Sequence, residues 1–392
     1  MKRYLINLLK GHKWIYTIYY YVYNSILQIL GLFIKSEDKV ILIVCSGGRY
    51  FNDNIKAIYN ELIEDKRFDD WHIVLAFREP RKYQTLLSDR TDLCKIDTPI
   101  FFWHALRAKC WLTNVSVQRG LNFKNKGTLY VNTWHGVPLK YLGLDNNKGE
   151  SFTTYGGVEK FDLMCTMGRY DADIMKRAFG LSDENIKVTG YARNDVMFKD
   201  SIDDVKQRVS SYYRIDYFKK IVLYAPTFRD YNKDSNGAFY LDLKLSMDKF
   251  KSILGDGYLL LVRAHGAIES TSIDGYIDVT GYPDVEDLLM ITDILITDYS
   301  GIMFDYSLLE KPVVCFSYDV EKYKEKRGLY GVYEDFIPFP ICKTEDALYN
   351  TIKNMDYAEG CLLSRKFKEK CGLIKRGAAK NVLNEMYRRL SV

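Results

Sequence analysis

The sequence predicts an α/β protein built from two doubly wound domains. Short apolar runs rich in β-favouring residues alternate with segments whose apolar residues recur at helical spacing. Such alternation is typical of buried parallel strands joined by helices in βαβ units. The runs form two series, one from "KVILIV" (39–44) to "FDLMCTM" (161–167) and one from "KIVLYAP" (220–226) to "PVVCFS" (312–317). With 392 residues, 47% of them apolar and 27% charged, the chain has enough material for two cores.

The domain boundaries follow from where these series stop. The polar, charged sequence at 195–219 separates them and indicates the interdomain break. We therefore expect an N-terminal segment at 1–36, a first domain at 37–205 and a second domain at 206–365. Residues 366–392 are expected to form a basic helix that packs back on the first domain.

The N-terminal segment contains an uncharged stretch of 21 residues, "WIYTIYYYVYNSILQILGLFI" (14–34). This length is sufficient to span a bilayer, but Asn24, Ser25 and Gln28 interrupt it. An apolar stripe comprises positions 15, 18, 22, 26, 29, 30 and 33, and a polar or small stripe comprises positions 17, 20, 24, 28 and 31. Both stripes have helical spacing, and tyrosine and tryptophan favour the membrane interface. We predict an amphipathic helix that lies on a membrane surface; a membrane span and a buried helix of the first domain are the alternatives.

Basic residues concentrate at both ends of the chain. Residues 1–35 carry five basic and no acidic side chains, and residues 365–389 carry nine basic and two acidic ones, within a net charge of +5. A basic face made from the two ends would suit an anionic membrane surface. Two solvated helices are the alternative interpretation.

Two histidines lie where predicted strands end. The segment "NTWHGVPLK" contains His135, and "LLLVRAHG" contains Arg263 and His265. Because ligands of parallel sheets bind at the carboxyl ends of the strands, both histidines are candidates for chemistry. A hydrogen-bonded structural role is the alternative for either one alone. The sequence has five histidines, and two of them beside glycine at strand ends favour a functional role.

A third loop, in "ILITDYSGIMFDY" (294–306), joins a strand to a helix through Asp298, Ser300 and Gly301. Unpaired N–H groups and the positive end of the dipole attract phosphate to a helix N-terminus. Glycine also allows a ligand to approach the backbone closely. Ser300 and Gly301 are therefore candidates for contact with a phosphate group. The simpler alternative is that Asp298 or Ser300 is only a helix cap.

Two further loops supply candidate contacts to phosphate. The segment "YAPTFRD" ends a strand with Pro226, Thr227 and Arg229, and a charge-assisted contact from Arg229 to phosphate is predicted. The segment "GYARND" places Arg193 at the interdomain junction.

Several common catalytic and metal-binding motifs are absent from the sequence. It has no phosphate-binding P-loop and no nucleophile elbow, and its D-x-D (Asp171 and Asp173) has the character of a first helical turn. The eight cysteines include no C-x-x-C pair, so we expect reduced, buried thiols in a cytoplasmic protein. Neither a metal site nor a cofactor is predicted, a requirement for a divalent cation stays open, and no nucleic-acid partner is expected.

Taken in order, "TWHGVPLK", "GYARND", "YAPTFRD", "RAH" and "DVEDLLMITDILITDYSGIMFDY" resemble the CDP-glycerol glycerophosphotransferase family of teichoic acid synthesis. This family includes primases, polymerases and related capsule polymerases, and the resemblance covers about residues 40–350. It implies a GT-B-like fold in which two Rossmann-like domains, the first for the acceptor and the second for the CDP donor, face a central cleft. It also implies a peripheral enzyme on the cytoplasmic side of the cell membrane. The acceptor would be a lipid-linked saccharide or polyol phosphate.

The resemblance further implies a reaction and the residues that carry it. An acceptor hydroxyl attacks the glycerol-bearing phosphorus of CDP-glycerol, and CMP leaves. His135 would be the general base, His265 would stabilise the pyrophosphate, and Asp305 would be a candidate for the polyol end of the donor. Donor contacts would fall on Trp134, His135, Gly136, Val137, Pro138, Arg193, Pro226, Thr227, Arg263, Ala264, His265, Ser300, Gly301 and Asp305.

Three positions depart from the family pattern. Gly266 and Ala192 stand where proline is usual, and Gly301 stands where a second serine is common. The last departure removes a hydroxyl from the predicted phosphate site, which leaves CDP-ribitol open as the donor. Two other hypotheses are a GT-B nucleotide-sugar glycosyltransferase or epimerase, and a non-catalytic membrane scaffold.

Overall fold

The computed structural model describes residues 13–86, 88–146, 153–154, 157–229, 231, 243–264 and 276–391. Up to residue 210, its helices and strands are α1 (Lys13–Phe33), β1 (Glu37–Val44), α2 (Asp53–Glu64), β2 (His72–Phe77), β3 (Thr91–Lys95), α3 (Pro99–Arg107), β4 (Ala108–Thr113), β5 (Leu129–Asn132), β6 (Thr153–Thr154), β7 (Gly157–Val158), β8 (Leu163–Thr166), α4 (Arg169–Phe179), β9 (Ile186–Val188), α5 (Val196–Lys199) and α6 (Ile202–Ser210). They continue with β10 (Lys220–Tyr224), α7 (Met247–Leu254), β11 (Tyr258–Val262), β12 (Ile277–Asp278), α8 (Val285–Ile291), β13 (Ile294–Thr297), α9 (Ile302–Ser307), β14 (Val313–Phe316), α10 (Val320–Arg327), α11 (Tyr333–Phe336), β15 (Ile341–Cys342), α12 (Glu345–Lys353), α13 (Tyr357–Cys371) and α14 (Ala378–Leu390).

The two large sheets both have the strand order of a doubly wound fold. The first is ordered β3-β2-β1-β4-β5-β8-β9 and the second β12-β11-β10-β13-β14-β15, while β6 and β7 form a separate antiparallel pair. Neighbouring strands of both large sheets pair in parallel. The order reverses between β1 and β4 in the first sheet and between β10 and β13 in the second. Since ligands of such sheets bind beside this reversal, at the carboxyl ends of the strands, these loops position the candidate site.

The core of each domain lies on both faces of its sheet. In β1, Ile41 and Ile43 pack with α2 and α14, while Leu42 and Val44 pack with α1 and α3 on the other face. All four side chains are buried, and burial of one such aliphatic side chain contributes about 1.5–3 kcal/mol. The continuous apolar runs that predicted the strands therefore reflect sheets covered on both sides.

Helix starts and ends are set by residues with identifiable roles. The Thr98 hydroxyl accepts a hydrogen bond from the N–H of Phe101 at 3.3 Å, and Pro99 occupies the first turn of α3. This combination satisfies a free donor and fixes the backbone angle that the helix needs. At the carboxyl end of another helix, α4, Gly180 adopts a left-handed conformation with a φ of 59°, and the helix ends there.

Two of the predicted domain boundaries, at residues 205 and 365, fall within helices. Helix α6 contains the predicted boundary at residue 205, yet Val205 and Val209 pack into the core of the second sheet. Helix α13 contains the other predicted boundary and packs through Phe367 on the second domain. Helix α14 returns to the first domain, where Val382 and Leu383 are buried against α2.

Helix α1 lies on the first domain with its polar stripe facing the protein. The Asn24 side chain accepts a hydrogen bond from the N–H of Asn122, and the Gln28 amide donates to the carbonyl of the same residue, both at 2.7 Å. A β-carbon at Gly31 would come within 2.5 Å of the Asn125 side chain, so the glycine permits this close packing. The opposite face exposes Trp14, Ile18, Tyr21, Val22, Ile26, Ile29, Leu30, Leu32 and Phe33. Among the helices of the described residues, none combines the length and hydropathy needed to cross a membrane.

Candidate active site

The loops at the carboxyl ends of the two sheets meet each other. The loop after β5 runs to residue 142, and its Lys140 forms an isolated antiparallel bridge with Leu329 of the second domain. The Tyr330 N–H donates to the carbonyl of Leu139 at 2.8 Å. Lys56 of α2 forms an ion pair of 3.0 Å with Asp284, just before α8. The two domains are therefore in contact around the region where the sequence places the chemistry.

The loop that carries His135 is held by amide side chains. The Asn132 side chain accepts a hydrogen bond from the N–H of Trp134 at 2.7 Å, and Trp134 adopts a left-handed φ of 52°. The Asn54 amide donates to the carbonyls of Thr133 and Trp134 at 3.3 and 3.2 Å. The buried Trp134 indole stacks on the His135 ring with centroids 4.5 Å apart. These contacts compensate a backbone conformation that is costly for a non-glycine residue and fix the imidazole.

The protonation of His135 follows from its hydrogen bond. Its Nδ1 lies 2.9 Å from the carbonyl oxygen of Asn114, at the end of β4. A carbonyl oxygen can only accept, so Nδ1 carries the proton and the neutral ring keeps Nε2 as a proton acceptor. His135 is open to solvent on one side. Desolvation by the surrounding protein, together with the charges of Arg193 and Lys140, nevertheless lowers its pKa below the usual 6.5, against the raising effects of the Asn114 carbonyl and of Asp53.

Arg193 connects the two domains beside this histidine. Its guanidinium donates to Asp53 at 2.7 Å and to the carbonyl of His135 at 3.1 Å. A second guanidinium nitrogen, Nη2, donates to Asp305 of α9 at 2.8 Å, and Asn194 donates to the same carboxylate at 2.7 Å. Asp305 is only 5% exposed. Arg193 and Asp305, which the sequence assigns to the donor, thus bind each other, and direct contact of either with a donor stays a prediction.

A third carboxylate, that of Glu286 in α8, completes this cluster. One of its oxygens lies 3.7 Å from the Arg193 guanidinium. Burial, together with the nearby charges of Asp53 and Asp305, raises the pKa of Glu286 to about 8, although Arg193 acts in the opposite direction. Desolvation also opposes the charged form of Arg193, but the surrounding carboxylates outweigh it and raise its pKa. One guanidinium thus faces three acidic side chains, those of Asp53, Asp305 and Glu286.

The loops after β10 and β13 are joined through Asp298. Its carboxylate accepts hydrogen bonds from the N–H of Thr227 at 2.8 Å and of Tyr299 at 2.6 Å. Arg229 donates to Asp298 and to Asp319 at 2.9 Å, and its guanidinium lies 5.0 Å from the ring centroid of Tyr299. Asp298 therefore joins the two loops to each other and does not cap α9.

Arg229, which the sequence predicts to contact phosphate, is buried among protein groups. It is 6% exposed, and it also donates to the carbonyl of Thr227 at 2.6 Å. Because protein carboxylates and tyrosine rings enclose its guanidinium, its geometry fits the positioning of the strand-end loops. Pro226, Thr227 and Ser300 are only half-buried and remain the candidates for contact with a ligand at these loops. The Ser300 hydroxyl accepts a weak hydrogen bond from the N–H of Ile302 at 3.3 Å.

Gly301 faces the first domain at the start of α9. A β-carbon built on it would lie 2.7 Å from the carbonyl oxygen and 3.1 Å from the nitrogen of Val137. A β-carbon essentially never approaches another atom to within 3.0 Å, so the absence of a side chain at Gly301 allows the two loops to touch. The segment from Trp134 to Pro138 therefore packs against the turn that the sequence assigns to the phosphate site.

The strand end that carries Arg263 is described only in part. Arg263 donates to the carbonyls of Val279 and Tyr282 at 3.0 and 2.8 Å, and the N–H of Ala264 donates to the Thr280 hydroxyl at 2.8 Å. His265, predicted to stabilise the pyrophosphate, and Gly266 lie outside the described residues. Their roles stay predictions.

Four polar residues at the cleft were missed by the sequence analysis. Asp53, Asn54 and Asn114 support the His135 loop, and Glu286 completes the Arg193 cluster. The position of Asn114 directly after β4, at the reversal of strand order, is the signal that strand-end reasoning could have used. Within the described residues, no group of three or more histidine, cysteine, aspartate or glutamate side chains is arranged to hold a metal ion.

The fold and these loops match known proteins over nearly the whole chain. The family model described as CDP-Glycerol:Poly(glycerophosphate) glycerophosphotransferase matches residues 27–381. A teichoic acid poly(glycerol phosphate) polymerase of Bacillus spizizenii is 29% identical over 381 residues, which are 93% of this chain and 96% of that protein. A polymerase of the same description from Staphylococcus epidermidis is 32% identical over 336 residues, 82% of this chain, but the match spans only 46% of its length.

Solved structures extend this similarity to three dimensions. The structure of the wall teichoic acid polymerase TagF superposes with a TM-score of 0.80 at 26% identity, covering 99% of this chain and 96% of that chain. A UDP-GlcNAc 2-epimerase from Neisseria meningitidis has a TM-score of 0.57 at 11% identity, covering 91% and 100% of the two chains, so it shares the fold alone. Because the family model matches most of the chain, the chain belongs to the CDP-glycerol:poly(glycerophosphate) glycerophosphotransferase family.

Proposed function

We propose that this chain transfers glycerol phosphate from CDP-glycerol to a hydroxyl of a lipid-linked acceptor in the synthesis of teichoic acid or a capsular polymer. The observation that carries the proposal is the hydrogen bond between His135 Nδ1 and the Asn114 carbonyl, which keeps Nε2 as a proton acceptor between the two sheets. Family membership supports the same reaction class, and a variant of TagF has been soaked with CDPG.

In the proposed reaction, Nε2 of His135 takes the proton of the acceptor hydroxyl as its oxygen bonds to the glycerol-bearing phosphorus. The bond from this phosphorus to the oxygen of CMP breaks, and its electron pair leaves with CMP. A neutral imidazole suits this step, because a lowered pKa keeps the base unprotonated near neutral pH. Developing negative charge on the pyrophosphate is stabilised by donors aimed at it, for which the half-buried Ser300 and, from the sequence, His265 are the candidates.

Nucleotide release from a panel of donors tests this proposal. Purified protein is supplied with a lipid-linked acceptor and, separately, with CDP-glycerol, CDP-ribitol or UDP-sugars. We expect CMP from CDP-glycerol, with a loss of about 10²–10⁴-fold in His135→Ala. The matched control is His72→Ala, because His72 is an exposed residue at the amino end of β2. Release of CMP only from CDP-ribitol would change the donor, and release of UDP or of no nucleotide would refute the proposal.

We also propose that the outward face of α1 docks on the cytoplasmic surface of the membrane that holds the acceptor. Helix α3 lies beside α1 through an edge-on contact between Phe102 and Tyr23, with ring centroids 5.4 Å apart. Its Ile100 and Trp103 are exposed and enlarge the apolar face. A helix with one face bound to protein and an apolar face in water can gain burial on a membrane surface. Lys2, Arg3 and Lys10, which the sequence analysis counts among the basic residues near this surface, lie outside the described residues.

A further inference from the structure

The half-buried Asp53 and the buried Asn114 form a link behind His135 that belongs to none of the strand-end motifs. We infer that Asp53 is a positioning residue for His135, acting through the side chain of Asn114. This inference rests on the proposed role of His135 as the base that accepts the proton of the acceptor hydroxyl.

The side chain of Asn114 is held at both ends. Its amide nitrogen donates to Asp53 at 2.8 Å, and its amide oxygen accepts from the N–H of Ser46 at 2.8 Å. Asn114 is 1% exposed, and its backbone carbonyl accepts a hydrogen bond from Nδ1–H of His135, with 2.9 Å between nitrogen and oxygen. With the side chain fixed on two sides, the direction of this carbonyl is fixed as well. The carbonyl in turn selects the tautomer that leaves Nε2 open to the cleft.

The placement of Asp53 has a conformational cost that its contacts must offset. Its φ is 59°, in the left-handed region that a non-glycine residue rarely adopts, although it is the first residue of α2. Its two carboxylate oxygens accept from Asn114 and Arg193, at 2.8 and 2.7 Å. Burial favours the neutral acid, but Arg193 and Asn114 hold the pKa of Asp53 below its usual value. Strained backbone that persists in a structure is typical of sites where a side chain must point in one direction.

The same carboxylate connects His135 to the second domain. Arg193, which binds Asp53, also donates to the backbone carbonyl of His135 and to Asp305 of α9. The guanidinium of Arg193 therefore binds both domains and also contacts His135, the candidate base. Loss of Asp53 should disturb the orientation of the His135 imidazole. We therefore expect kcat to fall and KM to change less.

The charges around His135 give this inference a pH signature. Asp53 raises the pKa of the imidazole, while desolvation and the charges of Arg193 and Lys140 lower it. Asp53→Asn removes the negative charge and leaves the two cations. The pKa of His135 should therefore fall further, and the acid limb of the pH–rate profile should move to lower pH. A purely structural loss would reduce activity without moving that limb.

The experiment compares Asp53→Asn with Asp284→Asn in the full chain. Asp284 also forms an ion pair across the domains, with Lys56 of the same helix, but it does not contact His135. We expect kcat for CMP release to fall by on the order of 10²-fold in Asp53→Asn, as for a misplaced catalytic group, with the acid limb displaced. Asp284→Asn should retain kcat and the limb of the unmodified protein. Equal loss in both variants, without displacement of the limb, would overturn the inference.

A second variant and a spectroscopic measurement keep the test decisive if Asp53→Asn does not fold. Asn114→Ser shortens the side chain that reaches Asp53 but leaves the Asp53–Arg193 pair. In ¹⁵N-histidine spectra of the unmodified protein, His135, assigned by its loss in His135→Ala, should carry its proton on Nδ1. The Nδ1–H population should fall in Asn114→Ser, and an unchanged tautomer and kcat would refute the positioning role. If His135→Ala retains full activity, the proposed function fails, while the change of tautomer in the other variant still supports the link from Asp53.

Discussion

Gly301 and Val137, from different domains, are in backbone contact at the cleft. The 2.7 Å separation between a β-carbon at residue 301 and the Val137 carbonyl oxygen means that any side chain there would push the loops apart. The sequence analysis interprets Gly301 as a serine site that has lost a phosphate-binding hydroxyl. The structure instead gives the glycine a steric role in bringing the His135 loop against α9.

We predict that Gly301→Ser separates these loops and lowers activity. Overpacking of this kind typically costs about 1–3 kcal/mol, so both the melting temperature and the rate of CMP release should fall. Gly257→Ser is the matched control, because a β-carbon at Gly257 meets no atom within 4 Å. An unchanged melting temperature with equal or higher activity in Gly301→Ser would support the lost-hydroxyl interpretation instead.

The pH dependence of the reaction should report the protonation of His135. Only the neutral imidazole can accept a proton, so kcat/KM should rise with pH through the pKa of this residue and then level off. Because desolvation lowers that pKa below 6.5, the midpoint should lie below pH 6.5 and the plateau should include pH 7. Steady-state CMP release over a series of pH values measures this, with His135→Gln as the variant that should lose the limb. A midpoint above pH 7 would contradict the assignment.

Glu286 should make the folded protein less stable as the pH rises. Its pKa is raised from 4.5 to about 8 in the fold, so between these values the unfolded chain has released a proton that the folded protein retains. The unfolded state binds fewer protons in this window, and the free energy of unfolding therefore decreases with increasing pH. Glu286→Gln removes this dependence.

Denaturant unfolding at about pH 5 and pH 8 checks the prediction. The stability of Glu286→Gln relative to the unmodified protein should be greater at the higher pH. Glu64→Gln, at a solvent-exposed position of α2, should show no such trend. A difference that stays constant between the two pH values would show that Glu286 is ionised in the fold throughout.

The exposed face of α1 should determine binding to anionic vesicles. Ile18 and Ile29 are both exposed on this face, and burial of each contributes about 1.5–3 kcal/mol. The double variant Ile18→Ser/Ile29→Ser should therefore bind phosphatidylglycerol vesicles on the order of 10²-fold more weakly in co-sedimentation. Ile202→Ser, at an exposed position of α6, is the control that should bind normally. Equal binding by all three proteins would remove α1 from the docking surface.

The sequence was sufficient for the fold because strands and helices are local features. Apolar runs and helical spacing predicted the strands of both sheets. The ends of those strands then located the loops that carry His135 and Ser300. Partners of charged residues are not local. Asp319 is 90 positions from Arg229, and Asp305 is 112 positions from Arg193. The motifs therefore identified Arg193 and Arg229 as candidates. That protein carboxylates bind both arginines could be seen only from the tertiary structure.

The orientation of α1 on the first domain also depends on contacts that are distant in the sequence. Helical spacing separates a polar stripe from an apolar stripe, but it does not say which one faces the protein. Asn24 and Gln28 bind the backbone of Asn122, a residue more than 90 positions away. Only that contact shows that the polar stripe faces inward and the apolar stripe outward.

Helix α14 has a consequence for the order in which the chain folds during synthesis. It supplies Val382, Leu383 and Met386 to the core of a sheet whose first strand in the sequence, β1, ends at residue 44. At about 5–20 residues per second, roughly 15–70 s separate the translation of these two elements. During this time the face of the first sheet that α2 and α14 cover together has only α2, and the apolar surface that α14 will bury stays open. The first domain can therefore complete its core only after the second domain has been synthesised.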